Sequence, residues 1–181
     1  MMGMIVSEAP ALPVALAELK GFLRITVSDE DALLAGLVRA AAELCEAFTG
    51  RALIEREVAE TVPVAAGRLR LGAGPVRAIE SVATLGEDGE AALLDAADFA
   101  AEIDAGGEGS VTLHVATDAR RLRITYRAGM AGDWNGVPEM LRHGIVRLAA
   151  QYYLRRGETR DAEVPAAVTA LWRPWRRLPF K

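Results

Sequence analysis

At 181 residues, 51% of them hydrophobic and 25% charged, the chain is sized for one domain, or one plus a small insertion, and its composition excludes a disordered protein. Its longest apolar runs are far too short for a bilayer and residues 1–16 lack the basic start of a secretory signal, so a cytoplasmic protein without a membrane is expected. The net charge of −4 conceals an asymmetry, because residues 1–118 carry 8 basic and 20 acidic side chains whereas residues 119–181 carry 13 and 5.

In chain order, "MMGMIVSEAP" has no periodicity and ends at a proline, so residues 1–11 read as a flexible arm. "ALAELKGFLRI" puts Leu16, Leu19, Phe22 and Leu23 on one face of a short helix. The clearest element is next, "SDEDALLAGLVRAAAELCEAFTGR". Ser28 and Asp31 have the spacing of a capping box, and Asp29, Glu30 and Asp31 place negative charge at the positive end of the helix dipole. Helix capping therefore accounts for this acidic cluster better than a metal site or an acid/base pair. Leu34, Leu37, Val38, Ala41, Leu44, Cys45 and Phe48 form the inward stripe, and Gly50 is the stop. Cys45, the single cysteine, excludes an internal disulfide and reads as a small buried hydrophobe. His114 and His143 are joined by no metal-ligand spacing and read as structural or surface residues.

After Gly50 the period changes from helical to alternating. "LIEREVAETVPV", "RLRL", "AIESVATL", "DFAAEI", "SVTLHV" and "RLRITYRAG" are separated by "GAGP", "GEDGE" and "DAGGEG", which predicts five or six antiparallel strands over residues 52–128. In the last strand Leu122, Ile124 and Tyr126 share one face, and Arg121, Arg123, Thr125 and Arg127 share the other, which is wet or meets an acidic partner. "VPEMLRHGIVRLAAQYYLRRGE" returns to helical spacing with Met140, Leu141, Ile145, Leu148 and Tyr152 inward and Pro138 in the first turn. "VPAAVTALW" is a last short helix. The pattern is α+β: a helical bundle of two N-terminal and two C-terminal helices, with an inserted antiparallel β module, in a single domain spanning residues 1–181.

The glycines of "RITYRAGMAGDWNGVPEMLRHGI" join a strand to a helix, which is where phosphate cradles occur. A P-loop needs a lysine and a hydroxyl after its last glycine, and this loop has "VPE". A dinucleotide site needs a parallel β-α-β unit and G-x-G-x-x-G, and neither is present. Asp133 and Glu139 would also repel phosphate. With no nucleophile elbow and no histidine beside a plausible nucleophile, the chain reads as a non-enzyme, with no catalytic residues, metal or cofactor.

The closing stretch "LWRPWRRLPFK" interleaves Trp172, Trp175 and Phe180 with Arg173, Arg176, Arg177 and Lys181, and Pro174 and Pro179 forbid a continuous helix. Tryptophan and arginine anchor interfaces more often than other residues do, so residues 172–181 read as a docking tail for another protein. Two other readings stay open: a tail that folds back onto the body, and a small nucleic-acid-binding protein stacking bases on the tryptophans.

Taken in order, "LAELKGFLRI", "DEDALLAGLVRAAAELCEAFTGRAL", "GPVRAIESV", "RITYRAGM", "VPEMLRHGIVRLAAQYYLRR" and "VPAAVTALWRPWRR" resemble the head-tail connector, or adaptor, proteins of long-tailed bacteriophages and related gene transfer agents. The resemblance implies a structural protein assembled in the bacterial cytoplasm into a virion or virion-like particle. There, a ring, usually dodecameric, sits beneath the portal protein, extends the DNA channel without reading sequence, and meets the next connector or tail-terminator component. It implies that the helices build the ring and that Leu171, Trp172, Arg173, Pro174, Trp175, Arg176 and Arg177 dock on the portal. Trp175 and Arg176 fit the family's aromatic-then-arginine ending, while Trp172 stands where an aliphatic residue is usual. Trp134, in a loop whose turn needs no aromatic, and Asp133 beside it are the expected contacts between neighbouring subunits. An acidic N-terminal portion suits a channel lining that does not grip phosphates, and a basic C-terminal portion suits docking on an acidic neighbour.

Overall fold

The computed structural model describes residues 3–6, 13–65, 67–156 and 164–177, and the chain divides into two units. Met1–Ala9 with Ile54–Met130 form a β unit, and Pro10–Leu53 with Ala131–Lys181 form a helical unit. The fold is α+β, four helices and antiparallel sheets, as the change of period predicts. The ends of the expected arm and tail, residues 1, 2, 7–11 and 178–181, lie outside the described residues.

The helical unit comprises α1 (Pro13–Leu23), α2 (Asp31–Thr49), α3 (Glu139–Leu154) and α4 (Ala166–Trp172). α3 is the middle of the bundle: it packs against each of the other three helices, so Leu141, Gly144, Ile145, Leu148 and Ala149 are all buried. A helix with partners on several sides needs a broad apolar surface, and the small residues Gly144, Ala149 and Ala150 let those partners approach. In α2 the inward stripe holds for Leu34, Val38, Ala41 and Cys45, with Leu37, Leu44 and Phe48 half-buried at its margins. Gly50 ends this helix at φ 68°, the left-handed region that glycine enters without a Cβ penalty, and its N–H donates to Glu46 O at 2.8 Å. Burial, and then the neighbouring Glu46 carboxylate, push the Cys45 thiol up to about 12, so at neutral pH it is a protonated, packed side chain.

The structure corrects the helical unit at two places. Helical spacing puts Phe22 and Met140 inward, but they are 52% and 47% exposed; Phe22 lies in the last turn of α1 and Met140 in the first turn of α3. The capping box is absent: α2 starts at Asp31 with no side-chain hydrogen bond to its first turn. Its carboxylates are engaged elsewhere. Lys20 Nζ donates to Asp31 Oδ1 at 2.6 Å, and the Tyr153 hydroxyl donates to Glu30, with the Arg156 guanidinium 4.2 Å from the centre of the Tyr153 ring. These contacts tie the start of α2 to α1 and to the end of α3. The charges still lie at the positive end of the α2 dipole, the one part of the capping argument that survives.

The β unit contains β1 (Gly3–Val6), β2 (Arg56–Pro63), β3 (Arg68–Arg70), β4 (Val76–Leu85), β5 (Ala91–Leu93), β6 (Phe99–Ile103), β7 (Gly109–Leu113) and β8 (Arg121–Ala128). Among the described residues, eight strands replace the five or six expected. β1 pairs antiparallel with β2 where a loose arm was expected, and β5 is too short to show alternation in sequence. A five-stranded sheet runs in the order β1-β2-β8-β4-β5, and a three-stranded sheet in the order β3-β7-β6. Leu122, Ile124 and Tyr126 of β8 are fully buried and join Val58, Val62, Leu71, Val76, Val82 and Val111 in one core drawn from both sheets. Arg121, Arg123 and Arg127 stand on the opposite, exposed face, as the alternation predicts.

Glu60 is the polar member of that core. It lies on the same face of β2 as Val58 and Val62, and its Oε2 accepts from Gly72 N–H and from the Tyr126 hydroxyl, both at 2.8 Å. The Tyr126 oxygen in turn accepts from Ala73 N–H at 3.0 Å. A buried carboxylate is tolerable only when its lone pairs are met, and here they fasten the loop after β3 to the central strand. Among the described residues, no helix is long and apolar enough to cross a membrane.

Two substitutions probe this packing. Tyr126→Phe removes the hydroxyl between Glu60 and Ala73 and should cost about 1–3 kcal/mol in denaturant unfolding; a loss below the error of the fit would contradict the buried network. At Gly144 an added Cβ would lie 2.2 Å from Trp172 Nε1. Gly144→Ala should therefore destabilise the protein by about 1–3 kcal/mol through overpacking, read as a lower thermal midpoint, and an unchanged midpoint would show that the indole is not seated there.

Candidate functional site

The glycine loop is a structural seam. At Gly129 a Cβ would lie 2.3 Å from Glu55 Cα and 2.6 Å from the Ile54 carbonyl carbon, so glycine is required for two stretches of backbone to touch. Arg77 Nε donates to Gly129 O at 2.9 Å, and a second guanidinium nitrogen donates to Met130 O. Next along the chain, Ala131 N–H donates to Leu53 O at 3.1 Å. Trp134–Gly136 forms a single 3-10 turn closed by Asp133, whose Oδ1 accepts from Gly136 N–H at 3.0 Å. The amide that a phosphate would need is thus already taken by a carboxylate.

Trp134, the expected contact with a neighbouring subunit, is only 4% exposed in the single chain. Asp133 remains exposed, with one oxygen committed to the turn. His143 and His114 are both exposed, and among the described residues no group of three or more histidine, cysteine, aspartate or glutamate side chains could hold a metal ion.

The closing segment divides into an anchor and an exposed part. Trp172 ends α4 fully buried. Its Nε1 donates to Leu141 O at 3.4 Å, its ring lies 5.9 Å from that of Phe48 at a tilt of 52°, and Gly144 leaves the space beneath it. Residues Arg173–Trp175 then form a 3-10 turn that brings the chain to the C-terminal end of α2. There, Arg177 N–H donates to Thr49 O at 2.7 Å, Arg51 Nε donates to Trp175 O at 3.0 Å, and the Arg176 guanidinium lies 5.7 Å from the centre of the Phe48 ring. The last carbonyls of a helix lack partners within it and carry the negative end of its dipole, so a backbone donor and several arginines suit this place. α2 has no basic residue in its own last turn; the closing segment and Arg51 supply them.

The fold-back reading of the tail therefore describes residues 171–177, while Phe180 and Lys181 lie outside the described residues. Arg173, Pro174 and Arg176 remain exposed, and Leu171, Trp175 and Arg177 are half-buried. Sequence reasoning missed the roles of Gly144 and Arg51. A lone glycine inside a helical pattern signals close packing, but nothing local names its partner.

The family model described as phage gp6-like head-tail connector protein matches residues 13–84, which hold α1, α2, β2, β3 and most of β4. No curated protein matches the chain. Among solved structures, the fold is similar to a chain in the neck of an empty gene transfer agent particle computed with C6 symmetry, at TM-score 0.82 and 26% identity, covering 100% of this chain and 97% of that one. A chain in the virion of a native gene transfer agent particle matches at TM-score 0.77 and 26% identity, covering 98% and 97%. A chain in the neck of the native particle, computed with C12 symmetry, matches at TM-score 0.74 and 25% identity with the same coverage. The resemblance read from the sequence is borne out: over residues 13–84 in sequence this protein is similar to the phage head-tail connectors, and over nearly its whole length in fold to chains of gene transfer agent particles.

Proposed function

We propose that this protein is a head-tail connector subunit that forms a ring beneath the portal protein, extends the DNA channel and joins the capsid vertex to the next connector or tail-terminator component. The observation that carries the reading is the likeness of the entire chain, at TM-score 0.82, to a chain of a gene transfer agent neck. Necks computed with C6 and C12 symmetry support a ring built from copies of one chain, with a dodecamer as the proposed number. The particle is assembled in the bacterial cytoplasm and is a phage or a gene transfer agent. The work is geometric. Each subunit holds two neighbours and presents one segment upward, and no step of it calls for a reacting side chain.

In this reading the closing segment docks on the portal through its exposed residues. Trp172 is the fixed post, and Arg173, Pro174 and Arg176 are free to meet an acidic, carbonyl-rich surface, for which the multi-donor guanidinium fork is suited. DNA passes without sequence-specific binding. Nucleic-acid binding by the tail is disfavoured because base stacking on the tryptophans needs open indole faces, and that of Trp172 is closed.

Replacing Arg173, Arg176 and Arg177 together with glutamate should reduce capture by the cognate portal protein at least roughly tenfold, since like charges across an interface are costly, while Trp172 and the fold are kept. Pull-down with immobilised portal, alongside a thermal melt, checks it. Undiminished capture by a folded variant would contradict docking through this segment.

A further inference from the structure

At one end of the helical unit, the end of α1, the second half of α3 and the beginning of α4 enclose a groove of about 300 Å³. Val168, 2% exposed, lies at its floor, while at its mouth Leu154 is 72% and Phe22 52% exposed. Single apolar residues scattered over a surface need no explanation, but two large ones at the mouth of one groove make a continuous apolar patch, the form in which a surface meets a partner.

The polar side of the groove is a row. Arg147, Gln151 and Arg155 follow one another at four-residue intervals along α3 and its C-cap, so they share a face, with the two arginines about 12 Å apart along the axis. Both arginines are exposed, and among the described residues no carboxylate lines the groove. Neither arginine has an ion pair among those residues, whereas Arg142 is paired with Glu18 and Glu139, and Arg156 with Glu30. Uncompensated positive charge therefore stands beside the apolar patch.

We infer that this groove binds an extended segment of a partner protein in which one large apolar residue stands between two carboxylates, in the pattern acidic-x-apolar-x-acidic. In an extended chain, side chains two residues apart point the same way, and four residues span about 13 Å. The two carboxylates then meet Arg147 and Arg155 at the arginines' own spacing, while the apolar side chain enters between Phe22, Leu154 and Val168. Guanidinium and carboxylate groups make charge-assisted, often bidentate hydrogen bonds, which fix the register of the segment along α3. Gln151, between the arginines, carries an amide that both donates and accepts, as a peptide backbone requires. Nucleic acid is disfavoured, because two arginines would hold two phosphates and the apolar cavity would offer the sugar-phosphate backbone nothing. The site is separate from the proposed portal dock, which follows the last residue of α4, and it does not rest on the portal reading.

The test is fluorescence polarisation of the full chain with a fluorescein-labelled peptide, Ser-Ser-Glu-Ser-Phe-Ser-Glu-Ser-Ser. Saturable binding is expected, weakened at least roughly tenfold when alanine replaces the phenylalanine or lysine replaces both glutamates. Arg147→Glu with Arg155→Glu should reverse the preference, losing the glutamate peptide and binding the lysine one, which a merely destabilised bundle would not do; a thermal melt checks that the fold is kept. No saturable binding up to about 0.5 mM protein overturns the inference, as does binding that the charge reversal leaves unchanged. Binding that appears only after Glu158, Asp161 and Glu163 are replaced with serine assigns the groove to the chain's own residues 157–163 and overturns it. A duplex-DNA shift lost in the charge-reversed variant, without peptide binding, assigns the row to nucleic acid and overturns it as well.

Discussion

Trp172 seated over Gly144 is the contact on which the helical unit depends. An indole of this size removes a large apolar area from water, and it does so against α3, the helix that every other helix in the unit touches. The seat exists because residue 144 has no side chain: with any Cβ there, the indole nitrogen would be in collision. Phe48 closes the other side. Three elements far apart in sequence are thereby fixed by one ring, and α4, too short at seven residues to be stable by itself, is held in place by its last residue.

The chain beyond Trp172 inherits that order. The next turn lands on the end of α2, where the Arg177 amide and the Arg51 and Arg176 guanidinium groups meet carbonyls and an aromatic ring. A segment that looks like a free tail in sequence is thus, through Arg177, the cap of a helix, and its exposed side chains are presented from a rigid base. Preorganisation of this kind would lower the entropy cost of the docking proposed for this segment. In the β unit the corresponding fixed point is Glu60, whose carboxylate ties Tyr126 to the loop after β3 while the arginines of the same central strand face outward.

Much of this is legible in the residues. Periodicity locates all four helices and six strands, the alternation of "RLRITYR" assigns both faces of β8, and Gly50 marks the end of α2. The failures have physical causes. β1 and β5 are edge strands of four and three residues, too short to express a period, and they are specified by the strand they pair with. The capping box at Ser28 fails because Asp31 and Glu30 find partners on α1 and α3, which no local spacing reveals. Trp172 looks exposed in sequence because it stands beside a loop; its burial is set by Phe48, Leu141 and Gly144, which lie on distant segments. The inward phase of Glu60 with Val58 and Val62 is visible in the sequence, and a carboxylate in that phase is a signal of a buried polar network.

The charge asymmetry counted along the sequence becomes spatial in the fold. In the β unit, basic residues stand on the face of the central strand and acidic ones gather at the β5 edge, while in the helical unit arginines collect where α2 ends. The central claim, that this protein is a ring-forming connector beneath a portal, is tested most directly by electron microscopy of the purified protein mixed with its portal protein. The account predicts a ring coaxial with the portal and seated on one of its faces; portals that remain bare amid separate single subunits would contradict it.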